Sequence, residues 1–241
     1  MLIPIVPITN LISAVFLVGL NVRYWKKARE STTLSVKTFG YFLVGFMILM
    51  LTLSIPGLFV KNFSGAQAIL NFSMLICYPI YALFIRFLSF SVNSSNKILT
   101  YFLPIFITSL GIVFFILQMA AFTPADYMTL SFKKSISFIL YTDNSLRWTQ
   151  IITGMIGFLT FGSGAMLFLL KGLKLEEIAS RRRAFLIGFG CVAGLLACIS
   201  NSVFYIYPNY IISFFIASLS ALTSVILVYF GVLVRKESQS R

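Results

Sequence analysis

Five side-chain amides, Asn10, Asn71, Gln118, Gln150 and Asn201, sit inside long apolar runs of this 241-residue chain. A buried amide with no partner costs several kcal/mol in hydrocarbon. These groups are therefore expected either to meet one another or to face water. Neutral donors and acceptors of this kind recognise polar small molecules by hydrogen bonding; they do not make or break bonds. Gln67, Thr153 and Ser202 belong to the same population. All eight fall toward one end of their runs, and the opposite halves are far more apolar. Residues 184–195, for example, offer only Cys191 as a mildly polar side chain. Two readings are open: hydrogen bonds between helices near one rim, or a small-molecule or lipid pocket lined by the five amides.

The residues that would carry harder chemistry are missing or misplaced. The sequence has no histidine, which excludes histidine-ligated haem, His-rich zinc sites and Ser-His catalysis. Its six acids, Glu30, Asp126, Asp143, Glu176, Glu177 and Glu237, all lie between the apolar runs or in the tail. A proton or sodium carrier normally keeps an ionisable group at membrane depth. Arg86 is the one basic residue inside a run, and it is expected to snorkel to the head groups. Cys77, Cys191 and Cys198 all lie in apolar runs, away from any loop where an oxidising compartment would pair them, and read as small apolar residues. No enzymatic activity, metal or cofactor is expected.

The elements that must position the amides are apolar runs at about 3–22, 40–60, 66–88, 99–119, 150–170, 184–205 and 210–232. Each is long enough to cross a hydrocarbon layer of about 30 Å at 1.5 Å per residue. With 59% hydrophobic and 10% charged residues, little is left for a soluble domain. The expected fold is all-α: a polytopic membrane protein whose residues 1–241 form a single seven-transmembrane-helix bundle. The first run has no basic leader and no small-residue cleavage site, so it is expected to remain as a helix.

The net charge of +13 would suit nucleic acid if it were spread over a soluble face. Instead, fifteen of the nineteen Lys and Arg residues bank in 23–37, 86–97, 171–183 and 235–241, on alternate sides of the runs. Basic loops stay cytoplasmic, which predicts an N-terminus outside and a C-terminus inside, in the cell membrane. The lipid bilayer, not nucleic acid, is the expected partner. Lys171, Lys174, Arg181, Arg182 and Arg183 form a basic inner turn. It serves either as a topology anchor contacting anionic head groups or as a docking face for a cytoplasmic partner. Glu177 and Arg181 are spaced to pair on a helix.

Small residues recur at helical spacing in the last three runs. They are Gly154, Gly157, Gly162 and Gly164; Gly190, Gly194, Ala193 and Ala197; and Ser213, Ala217, Ala221 and Ser224. Small residues let helices approach closely in lipid, so helices five to seven are expected to form a tight cluster. The one long outer loop is 120–148. Within it 128–132 and 135–141 alternate apolar and polar residues, the pattern of a short hairpin lying over the bundle; a flexible surface loop is the alternative.

The stretch Ser180-Arg-Arg-Arg-Ala-Phe-Leu-Ile-Gly-Phe-Gly-Cys-Val-Ala-Gly-Leu-Leu-Ala-Cys-Ile-Ser-Asn201 resembles the seven-transmembrane input domain of bacterial sensor histidine kinases. Arg182, Arg183, Gly188 and Asn201 fit positions that family favours, as do the long outer loop and the basic turn after helix one. No kinase domain follows the seventh helix in this sequence. The resemblance thus implies a sensor, free-standing or a fragment, whose output passes through a partner. A second resemblance, to PQ-loop and sugar-efflux carriers, rests on Asn21–Ser35, a basic-then-serine turn, but no Pro-Gln dipeptide occurs. The expectation is a receptor-like sensor of a small external or outer-leaflet ligand. A small-solute transporter and a structural subunit of a membrane complex are the alternatives.

Overall fold

The computed structural model describes residues 3–29, 32–59, 63–92, 96–120, 128–132, 136–140, 147–206 and 211–233. Seven helices dominate: α1 (Ile5–Ala28), α2 (Leu34–Leu58), α3 (Phe63–Val92), α4 (Leu103–Ala120), α5 (Arg147–Lys174), α6 (Ile178–Ile206) and α7 (Ile211–Leu233). A π-helical turn, Ile98–Phe102, leads into α4. Seven segments are long and apolar enough to cross a membrane, so the chain is a multi-pass membrane protein. In hydrocarbon each backbone N–H and C=O must find a partner within its own segment, and only a helix provides that locally.

The helices outrun the apolar runs. α1 continues through Arg23-Tyr24-Trp25-Lys26-Lys27, and α3 reaches Val92. Hydropathy marks where lipid ends, whereas the hydrogen-bond ladder continues until a breaker or a cap stops it. α1 also starts later than its run, because Ile3–Pro4 form a strand, β1, instead. Pro7 is tolerated because it lies in the first turn of α1, where the N–H would have no partner anyway.

To the helices the structure adds one small sheet. β2 (Met128–Phe132) and β3 (Ile136–Leu140) pair antiparallel, with Leu130 opposite Phe138, as their alternation predicts. β1 pairs parallel to β3, Ile3 opposite Ile136, giving the order β1-β3-β2. The hairpin inside 120–148 is therefore tied to the start of α1.

Six helices close into a ring in the order α1, α2, α3, α5, α6, α7, with α7 returning to α1. α4 stays outside, packed on α3. Aromatic rings fill the ring's centre. Phe42 and Phe84 lie 4.7 Å apart, Phe39 and Phe87 4.7 Å, and Phe84 and Phe161 5.7 Å, joining α2, α3 and α5. Phe16 and Tyr229 meet edge-on at 5.8 Å where α1 closes on α7. Such contacts add about 0.5–1.5 kcal/mol each beyond burial.

The small-residue rows lie where helices five to seven touch. A Cβ on Gly190 would sit 2.8 Å from Val228 Cγ2 and 3.2 Å from the Ser224 carbonyl. On Gly194 it would meet the Phe161 ring at 2.9 Å, and on Gly157 both Cys198 Sγ and the Tyr81 hydroxyl at 2.6 Å. Close approach, not backbone freedom, is what these glycines supply. The α5–α6 turn departs from expectation. Glu177 precedes α6, accepts the Arg181 N–H at its carbonyl and takes the Ser180 hydroxyl on its carboxylate. A helix start, not an ion pair along a helix, is what its position produces.

Candidate functional site

The end of the bundle where α1, α3, α5 and α7 begin carries the polar side chains; the other end carries the basic turns. At the first end, α3, α4 and α5 share one hydrogen-bonded network. Gln118, near the end of α4, donates from Nε2 to Thr149 Oγ1 at 2.6 Å. Thr153, one turn further along α5, donates to the Thr149 carbonyl at 2.7 Å. Tyr78 of α3 lies 2.8 Å from Thr153 Oγ1. A threonine hydroxyl has one proton, and Thr153 commits it to Thr149, so the Tyr78 hydroxyl is the donor in that pair. Tyr78 and Thr149 are wholly buried, and Gln118 is 3% exposed. Gln118 Oε1 is buried and has no hydrogen-bond partner among the described residues. The edge of Trp148 meets Phe114 at 5.2 Å and covers the α4–α5 seam.

Two more of the five amides border this network, and both turn to sulfur. Asn71 on α3 approaches Met119 Sδ at 4.0 Å, and Gln150 on α5 approaches Met74 Sδ at 2.9 Å. Thioether sulfur is a weak acceptor. At the basic end Asn21 repeats the theme: its Nδ2 donates to the carbonyls of Leu17 and Leu43 and lies 3.9 Å from Met47 Sδ.

The structure thus gathers Asn71, Gln118 and Gln150 on α3, α4 and α5 and leaves the other two elsewhere. Asn10 is buried on α1, next to Thr9, whose hydroxyl meets Ser218 of α7. Asn201 is half-buried on α6, one residue before Ser202, which stands against Gly154 of α5. The Gln67 side chain lies outside the described residues. Tyr78 and Thr149 were not among the residues the sequence singled out. Their signal was a tyrosine beside Pro79 in mid-span, which needs a hydroxyl partner in lipid, and a threonine four residues before Thr153.

Toward the basic end the ring's centre is dry. A void of about 20 Å³ is enclosed by six helices, including Leu17, Phe42, Phe84, Phe161, Cys191 and Val225. It is large enough for about one water but almost purely apolar, and such cavities stay empty. All three cysteines are free thiols. Lys171, Lys174 and Arg181 to Arg183 are exposed around the α5–α6 turn, and Lys171 Nζ donates to the Ser91 carbonyl at 3.0 Å, tying α5 to the end of α3.

No protein-family model matches the chain, and neither a curated protein nor a solved structure matches it.

Proposed function

We propose that the protein is a receptor-like sensor of the cell membrane, its N-terminus outside, that binds a small ligand among α3, α4 and α5 and signals through the basic inner turn. The observation that carries this reading is Gln118 Oε1, an acceptor held at the edge of a hydrogen-bonded network with nothing to accept from among the described residues. Its ligand is a small molecule bearing an N–H or O–H donor, with Asn71 and Gln150 nearby as further contacts. Asn10 and Asn201 belong to separate helix pairs and serve packing.

Closure of the basic half favours sensing over passage. Phe42, Phe84 and Phe161 fill the axis around a small void whose lining is almost wholly apolar. Transporters place their site near mid-membrane and open it to both sides. A ligand at Gln118 instead changes how α4 sits on α3 and α5. Such a change spreads only if the ligand binds one packing better than the other. Lys171, which links α5 to the end of α3, then passes the change to residues 171–183.

A thermal-shift screen of sugars, amino acids and fatty alcohols on purified protein tests the reading. A compound that stabilises the wild type but not Gln118→Leu, and that does not accumulate in proteoliposomes, is the expected result. Uptake of that compound by the purified protein alone would establish a carrier instead. A chain that unfolds unless made together with other membrane proteins would point to a structural subunit.

A further inference from the structure

We infer that Arg86 and the π-helical turn before α4 form a binding site for the phosphate of an anionic phospholipid. The site lies at the opposite end of the bundle from Gln118 and does not rest on the sensor reading.

Arg86 is held by neighbouring side chains on its way to the head groups. It lies five residues inside the end of the span Asn71–Ser91, about 8 Å below its limit. It is only partly exposed, and its guanidinium lies over two rings, Phe90 at 5.6 Å and Tyr101 at 5.3 Å. Arg86 Nε is buried with no hydrogen-bond partner among the described residues. A guanidinium keeps its charge wherever it sits, and two ring faces offset only part of the cost of desolvating it.

The local backbone explains why Tyr101 is there. Pro104 has no N–H, and its ring would clash with the carbonyl of Thr100, four residues earlier, in a regular α-helix. The chain widens by one residue instead, and Leu103 N–H reaches back to Ile98 O. This π turn moves Tyr101 over Arg86, and Thr100 is left wholly buried with Oγ1 unpartnered among the described residues. Single π turns in helices commonly mark functional sites.

Arg86 has no counter-charge at its own depth in the span. Every carboxylate in the sequence lies outside the seven spans. The surface around the turn is apolar and faces lipid, with Ile98, Phe102 and Ile105 each about two-thirds exposed. An anion approaching Arg86 from that side is therefore a lipid phosphodiester, whose two free oxygens match the guanidinium fork. Lys97, exposed at the start of the turn, adds attraction at the membrane surface.

Native mass spectrometry of the full chain, with phosphatidylglycerol and phosphatidylcholine as probes, tests the site. Wild type is expected to retain one phosphatidylglycerol in preference to phosphatidylcholine. Arg86→Gln should weaken that retention at least about tenfold, through loss of the charged, two-pronged contact. Lys26→Gln, an exposed basic residue elsewhere on the same end, should leave it unchanged. If Arg86→Gln does not fold, Arg86→Lys and Tyr101→Leu replace it; both should weaken retention, the first by removing the fork and the second by removing a ring. Displacement of the lipid by inorganic phosphate would overturn the lipid assignment. Equal retention of the two lipids by wild type, or wild-type retention by the folded variants, would overturn the site.

Discussion

Tyr78 of α3 donates a hydrogen bond to Thr153 of α5 at 2.8 Å, inside the bundle wall. The same threonine donates its own hydroxyl to the Thr149 carbonyl, and the Thr149 hydroxyl accepts from Gln118. Four residues on three helices therefore hold one geometry, and α4, the helix outside the ring, is locked to the network by a single amide.

Tyr78→Phe should lower stability by about 0.6 kcal/mol, the average for hydrogen bonds between membrane helices. Thr153→Val should do the same or slightly more, since it leaves the tyrosine hydroxyl unpaired. Thermal or SDS unfolding of both single variants and the double variant gives the coupling directly. A coupling near zero would mean that the two side chains do not share a bond.

Gly190 and Gly19 should respond in opposite directions to alanine. Gly190→Ala drives a methyl group into Val228 and the Ser224 carbonyl, so α6 and α7 must part, at about 1–3 kcal/mol. At Gly19 the nearest atom is Tyr229 Cε2 at 3.9 Å, an ordinary contact, and alanine should stabilise by about 0.5–1 kcal/mol. Melting temperatures in one detergent decide it.

Phe84→Ala should cost about 3–5 kcal/mol. The ring is 2% exposed and touches Phe42 and Phe161, so its loss extends the dry void along the axis. Unfolding measurements that show a loss of less than about 1 kcal/mol would contradict a packed aromatic centre.

The proposed orientation is tested by single cysteines in right-side-out vesicles. Trp148→Cys should react with a membrane-impermeant maleimide, and Glu176→Cys should react only after permeabilisation. Both positions are exposed in the structure, and the native thiols lie within the helices. The reverse pattern would invert the assignment.

Much of this architecture can be read from residue types alone. Length and apolarity mark the seven spans, the small-residue rows mark the α5–α6–α7 contacts, and alternation over 128–132 and 135–141 offers the hairpin that forms at Met128–Phe132 and Ile136–Leu140. Each of these is a local pattern with a fixed period. What stayed hidden depends on which helices are neighbours. Nothing in the text of residues 99–119 says that α4 stands outside the ring, so Asn10 and Asn201 could not be separated from Asn71, Gln118 and Gln150. Arg86 reads in sequence as a snorkelling residue, and its placement beneath Tyr101 is not legible there. That placement depends on a π turn forced by Pro104 at a distance of three residues, a displacement no apolar count registers.

Asn21, Asn71 and Gln150 each direct an amide at a methionine thioether, Met47, Met119 and Met74. Oxidation converts that sulfur from a feeble acceptor into a strong, polar, chiral sulfoxide oxygen. Peroxide should reach Met119 first, which is 43% exposed, and Met74 last, which is 4% exposed, so the seam held by Asn71 would be remodelled before the one held by Gln150. Samples stored in detergents that accumulate peroxides would age from that seam inward, and methionine sulfoxide reductase would restore the exposed Met119.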